Sequence, residues 1–330
     1  MSSDASPLRR APLFPVLRWL DAFGIAVLAG TVAGWCGRLN WLFDLASHFR
    51  SSWLLLAIGG LVACIRWPRP TAFICLVLAT LGNVGEMLPY WLPPKALAAT
   101  GVAAAARDRE IFVISVNVRR INHDTAPTLA YLRDRRPDVV AVLEVDATWA
   151  EALDTLGDLF PHRIIRPRPD NFGIAVLSRW PLVDPQVVVF SDSGFPSIVT
   201  TVRGGAGEFQ FIATHPSPPF NAQATVTLVA HLAGVGDVAA ASPTPCIVAG
   251  DFNATPWSLP FRTLVARSGL VDTALGRGVQ ATWNARYPAP RIPIDHILAP
   301  SGTRVVRRVV GPDIGSDHFP VEAELILPAR

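Results

Sequence analysis

Val248-Ala249-Gly250-Asp251-Phe252-Asn253-Ala254-Thr255-Pro256-Trp257 marks the exit of a buried strand into a polar turn. The apolar run Cys246-Ile247-Val248-Ala249 ends at Gly250, and a carboxylate and a carboxamide follow two residues apart. Residues i and i+2 of an extended chain point to the same side. Asp251 and Asn253 are therefore expected to reach into one small volume at the strand's end. An acceptor-only anion beside a mixed donor and acceptor amide suits a hard cation, an activated water and a phosphoryl oxygen. Asp and Asn also close strands simply because they favour turns, so the rest of the chain must separate the two readings.

The pattern recurs on both sides of this stretch. Ile111-Phe112-Val113-Ile114-Ser115-Val116-Asn117 is β-rich and ends in a carboxamide, and residues 139–143 form a second buried strand ending at Glu144. Residues 172–177 read as a strand followed by Ser178-Arg179, and 209–213 as one closing on Thr214-His215-Pro216. Further strands are expected at 187–190, 198–202, 292–298, 305–310 and 321–327. Helices are expected at 124–136, with Pro127 in the first turn, and at 147–156, 223–240 and 259–267. Asn117, Glu144, His215, Asp251, Asn253, Asp317 and His318 then stand at strand ends, with Asp295 inside a strand. Strand ends are where sheet-based folds gather functional groups. Taken together, oxygen ligands and two imidazoles suit a Mg2+ or Mn2+ phosphoesterase site.

At 330 residues the chain suits one large domain plus something else. A mean hydropathy of +0.34 and a charged fraction of 17% are unusual for a purely soluble protein. The apolar excess lies in residues 1–109. Residues 110–330 hold 19 arginines, no lysine and 21 acids, so this part lacks the basic footprint of a strong nucleic-acid binder. Cys36, Cys64, Cys75 and Cys246 offer no Cys-x-x-Cys pair and read as small buried apolar residues.

Three apolar segments, 19–37, 51–65 and 71–92, read as membrane spans, the second one short, with a re-entrant second segment as the alternative. Arg50 and Arg66 bracket the second and are expected to snorkel to the interfaces. Arg9, Arg10, Arg18, Arg66 and Arg69 against Arg38 and Arg50 favour a cytoplasmic N-terminus. Three crossings then place the rest of the chain outside the cytoplasm. The expected domains are a membrane region at 1–92, a linker at 93–109 and a catalytic domain at 110–330.

Ser-Val-Asn117, Leu-Glu144, Thr-His215, Gly-Asp251-Phe-Asn253, Ile-Asp295-His and Ser-Asp317-His318-Phe-Pro, in this order, resemble the endonuclease/exonuclease/phosphatase (DNase I-like) superfamily. The resemblance covers essentially all of 110–330. It implies an α/β four-layer sandwich of two β-sheets flanked by helices, here preceded by three transmembrane helices. It further implies that Glu144 is the principal Mg2+ (or Mn2+) ligand, supported by Asn117 and Asp317, with Asp251 close enough to join them. Asp295 would orient His318, which serves as general base or phosphate contact. Asp251 would position or deprotonate the attacking water, Asn253 would hold it, and His215 would stabilise developing charge. Whether Asp251 or His318 takes the proton is left open. Asn171 and Arg179, flanking the Gly173-Ile-Ala-Val-Leu-Ser strand, are candidate substrate contacts with structural roles the favoured reading of both, and His48, His123, His162, His231 and His296 are read as structural or exposed.

Spans followed by this domain resemble the superfamily's bacterial membrane branch, that of the teicoplanin-resistance proteins. That resemblance implies a multi-pass cell-membrane protein with an extracytoplasmic catalytic domain. Its substrate would be a phosphate ester or lipid pyrophosphate. Nuclease action on external DNA is a less favoured reading, and a non-catalytic binding module the least favoured.

Overall fold

The structure is a computed structural model and describes residues 14–92, 110–205, 207–287 and 289–328. Among these, the chain opens with helices α1 (Phe14–Ala33), α2 (Trp41–Ser47), α3 (Arg50–Arg66) and α4 (Pro70–Trp91). Val27, Ala57, Leu76 and Ala79 form the buried seam between α1, α3 and α4, while Leu55, Val62, Ile65, Phe73 and Leu81 are left exposed. Among the described residues α4 is long and apolar enough to cross a membrane. Helices α2 and α3, bent by 67° at their junction, pass the same test together as one broken span. Length and composition thus support one or two spans, where the sequence reading places three. The expected linker at 93–109 lies outside the described residues.

Two details of this region differ from expectation. Asn40 caps α2 by accepting from the Leu42 amide, so the stretch read as a loop contains two turns of helix. Arg50 does not snorkel. It is fully buried, with Nη1 donating to the Thr31 carbonyl of α1 at 2.8 Å and to Asn83 of α4 at 3.3 Å, while its guanidinium carbon lies 5.0 Å from the centre of the Trp35 ring.

The remainder runs β1 (Glu110–Asn117), α5 (Ala126–Arg135), β2 (Val139–Leu143), α6 (Ala147–Asp154), β3 (His162–Arg166), β4 (Ile174–Ser178), β5 (Leu182–Val189), β6 (Pro196–Gly204), β7 (Gly207–Thr214), α7 (Ala222–Ala240), β8 (Cys246–Asp251), α8 (Leu259–Ser268), β9 (Leu270–Asp272), β10 (Asp295–Pro300), β11 (Arg304–Val310) and β12 (Val321–Ile326). Two six-stranded sheets result, ordered β11-β12-β1-β2-β4-β3 and β5-β6-β7-β8-β10-β9. Each holds one parallel pair, β1 with β2 and β7 with β8, and every other neighbour is antiparallel. The two sheets therefore share one topology, although no internal repeat is visible in the sequence.

Alternation along the strands explains the layers. Val113, Val139, Ile174, Phe211, Ala249, Ile297 and Leu325 meet between the sheets in a fully buried core. The opposite face of the first sheet packs Ile114, Val140 and Val142 against Leu132, Trp149 and Leu153 of α5 and α6. The outer face of the second packs Ile212 and Val248 against Leu228, Leu232 and Leu264 of α7 and α8. Two mixed sheets face one another with helices outside, as expected.

The strand read as 292–298 begins three residues later, at Asp295. Ile292 instead bridges to Trp283, and Pro293 cannot donate to a ladder. Since β10 runs antiparallel to β8, with Asp295 opposite Asp251, the start of one strand meets the exit of the other.

Candidate active site

The parallel pairs set the geometry. Asn117 and Glu144 leave the C-terminal ends of β1 and β2, while His215 and Asp251 stand at the corresponding ends of β7 and β8. Gly250 lets the second pair approach: a Cβ there would lie 1.9 Å from the Thr214 carbonyl oxygen. Glu144 and Asn253 adopt the left-handed region, at φ 66° and 48°, as does Arg119 at φ 57°. Such non-glycine backbone concentrates where surrounding structure enforces it, commonly at functional sites.

One Asp251 oxygen, Oδ2, gathers donors from both sheets. Asn117 Nδ2 donates to it at 3.1 Å, His215 Nε2 lies 3.4 Å away and His318 Nε2 3.6 Å. Oδ1 accepts from the Asn253 amide at 2.9 Å. Asn117 Nδ2 also donates to Glu144 Oε1 at 3.1 Å, and the Arg120 amide donates to Glu144 Oε2 at 3.0 Å. His318 Nδ1 meets Asp295 Oδ2 at 2.9 Å. Asp317 faces Arg119 at 3.5 Å. The amide nitrogen of Asn253 donates to the Pro216 carbonyl at 2.9 Å.

The charges follow from this packing. Burial alone would depress the basicity of His318, but Asp295 and Asp251 outweigh it and raise its pKa to about 10. Burial would likewise raise Asp251, yet the His318 charge and the His215 hydrogen bond bring it down to about 2. His215 is held above its ordinary value: desolvation opposes this, and the Asp251 bond and charge prevail. The resting arrangement is a carboxylate anion between two imidazoles, with an imidazolium between two carboxylates.

A cavity of about 370 Å³ opens on these groups. Glu144, Asn171, His215, Asp251, Asn253, Asp317 and His318 line it. Asn117 and Asp295 are buried behind, the first joining Glu144 to Asp251 and the second backing His318. Asn171 accepts from Arg120 Nε at 3.0 Å. Arg179 is not brought to the site. It follows β4, at the end of the sheet where β2 begins, and pairs with Asp138 at 3.1 Å, so its role is that of a structural ion pair.

Residues that the sequence did not mark also line the cavity: Phe172, Pro218, Pro219, Phe220 and Trp283, and from the N-terminal helices Leu45, His48 and Phe49. Phe172 lies against the His215 ring at 5.3 Å. Nothing local in the sequence marks these apolar residues, whereas His48, read as structural, carries ligand chemistry of its own. Among the described residues, neither Arg nor Lys belongs to the lining, while Arg119 and Arg120 contact the lining residues Asp317 and Asn171.

The donor set fits a hard divalent cation. Glu144 and Asp317 are partly exposed carboxylates that line the cavity, and oxygen is the ligand such ions take. Ligand atoms of Asp251, Asp295 and His318 also lie within 4.8 Å of one another. Glu144 and Asp317, both partly exposed, are further carboxylates of the same cavity.

A family model described as Endonuclease/Exonuclease/phosphatase family matches residues 114–318. Among curated protein sequences nothing matches. Of solved structures, an endonuclease/exonuclease/phosphatase from Beutenbergia cavernae is 25% identical, with a TM-score of 0.56 over 67% of this chain and 72% of that one. Humanized D. rerio TDP2 is similar at 17% identity and a TM-score of 0.56, over 66% of this chain and 99% of that one. A family protein from Bacteroides thetaiotaomicron is 19% identical at a TM-score of 0.52, over 66% and 95%.

Proposed function

The chain belongs to the Endonuclease/Exonuclease/phosphatase family, and on that premise we propose that it is a membrane-anchored phosphoesterase acting on a lipid-linked phosphate ester or pyrophosphate. Family members are phosphoric ester hydrolases that use divalent metals, and this chain is a phosphoric ester hydrolase. The observation that carries the finer reading is the cavity itself. Its carboxylates and imidazoles share one lining with Leu45, Phe49, Pro218, Pro219 and Phe220, and among the described residues no Arg or Lys belongs to that lining to follow a nucleic-acid backbone.

Glu144 and Asp317 would hold the ion, with Asn117 fixing the Glu144 carboxylate and Asp251 adjoining. Mg2+ or Mn2+ bound there would supply neutralisation of the phosphoryl oxygens and leaving group. Asp251, kept anionic, orients the attacking water and accepts its proton. His318, kept protonated by Asp295, donates to a phosphoryl oxygen as charge builds there. His215 faces the same oxygen region and supports that charge. Asn253, its amide nitrogen bonded to Pro216, offers its oxygen to the water.

The test incubates purified protein with lipid pyrophosphates, phospholipids and DNA, with Mg2+ or with EDTA. Metal-dependent phosphate or head-group release from a lipid is expected. DNA cleavage without lipid turnover would replace the proposal with a nuclease. Membrane anchoring is supported by α4 and by the bent α2–α3 pair. The proposed topology adds α1 as a third crossing, which from a cytoplasmic N-terminus puts the catalytic domain outside. A periplasmic-type reporter fused after Arg330 should then be active, and a reporter active only in the cytoplasm would reverse the topology.

A further inference from the structure

The N-terminal helices do more than precede the catalytic domain. The α2–α3 corner carries Leu45, His48 and Phe49 into the cavity that holds Glu144, Asp251 and His318. Asp44 of α2 accepts from the Leu259 amide at 2.7 Å, at the start of α8. The end of α4 is held as well: the Gly276 amide donates to the Pro89 carbonyl at 3.0 Å, and Tyr90 reaches Asp272 at 3.2 Å. The corner is thus fixed beside the catalytic floor as part of one packed unit.

The cavity is divided by chemistry. Its buried end is ionic, the corner adds Leu45 and Phe49 on either side of His48, and Pro218, Pro219 and Phe220 after β7 complete the apolar part of the lining. Phe220 is 67% exposed at this margin. Among the described residues no Arg or Lys belongs to the lining, Arg119 and Arg120 being engaged by the lining residues Asp317 and Asn171. Phe49 directly precedes α3, whose Leu55, Leu56, Ile58, Val62 and Ile65 are exposed apolar residues. The apolar lining therefore runs into one of the N-terminal helices that expose large apolar residues. A ligand with an anionic head and a long apolar chain matches this division, head on the floor and chain along the corner.

We propose that the α2–α3 corner is the binding site for the apolar chain of the substrate, with Leu45 and Phe49 setting the preference for long-chain phosphoesters over short ones. This deepens the phosphoesterase reading and rests on its placing a phosphoryl group at the floor. Both residues are half-buried, so polar replacement removes apolar contact without opening a core.

The experiment measures binding, apart from turnover. Full-length protein in a non-ionic detergent with Mg2+ is titrated with methyl-, octyl- and tetradecylphosphonate, alongside Leu45→Ser and Phe49→Ser. Tetradecylphosphonate should bind at least tenfold more tightly than methylphosphonate. Phe49→Ser should cut that advantage about fivefold, Leu45→Ser somewhat less, and both should leave methylphosphonate affinity unchanged. An advantage absent from the unaltered protein, or undiminished in both variants, overturns the proposal. Parallel weakening of all three ligands makes the corner structural only and overturns it too. Failure of every phosphonate to bind defeats the phosphoryl floor, and with it both readings. Chain-dependent binding without hydrolysis would uphold the corner while defeating the activity.

Discussion

Glu144→Ala is expected to lower metal-dependent phosphoester hydrolysis by about a thousandfold, equivalent to about 4 kcal/mol of transition-state stabilisation. The carboxylate is held at both oxygens, by Asn117 Nδ2 at 3.1 Å and by the Arg120 amide at 3.0 Å, and it lines the cavity. Those donors keep it turned to the cavity that Asp317 also lines. Its loss removes an anion open to the ion while leaving the buried cluster around Asp251 in place. The fold should survive, because Glu144 is only partly buried and none of the cores between the layers depends on it. Activity measured against Mg2+ concentration should show a lower maximum and a weaker apparent metal affinity. Activity within tenfold of the unaltered protein would remove Glu144 from the metal site.

His318→Ala should be comparably severe, with about a hundredfold to a thousandfold loss, the range seen when one donor to a developing oxyanion is removed. The ring is buried, bonded to Asp295 at 2.9 Å and directed towards Asp251 at 3.6 Å. Asp295→Asn separates charge from position, since an amide still fills the space behind the ring. In metal-free protein, NMR of the His318 ring should show protonation persisting through pH 8, and Asn at 295 should move its titration down by more than one unit. The linkage has a definite sign. With the folded pKa raised to about 10, the charged imidazole's contribution to stability is fully present below pH 6.5 and is lost as pH climbs towards 10. A neutral His318 ring at pH 7 in the unaltered protein would contradict the proposed donor role.

What the sequence makes legible is the polar residue that ends an apolar strand. Asn117, Glu144, His215, Asp251 and Asp317-His318 each follow or flank such a run, and the structure brings all of them to one cavity or directly behind it. Partnership across the fold is less legible. Arg179 reads as a substrate contact because it follows a strand, but β4 runs antiparallel to β2 and delivers it to the opposite end of the sheet. Arg50 reads as snorkelling until Thr31 and Asn83, distant in sequence, supply its partners. Strand β3, His162–Arg166, lies at a sheet edge and has one buried residue, so no apolar run announces it. The three-residue β9 is too short for any periodicity. Leu45 and Phe49 look like ordinary apolar residues of the N-terminal region, and only the docking of α2 against α8 gives them a place in the cavity.

The shared topology of the two sheets bears on how this protein comes to life during folding. Each sheet alone owns half a set of reacting groups, and Asn117 Nδ2, bonded to Glu144 on one side and Asp251 on the other, stitches the halves. A half-assembled chain is chemically mute, however well formed either layer is. Regain of turnover after refolding therefore reports closure of the seam, and a cation seated beside that stitch would act as its latch.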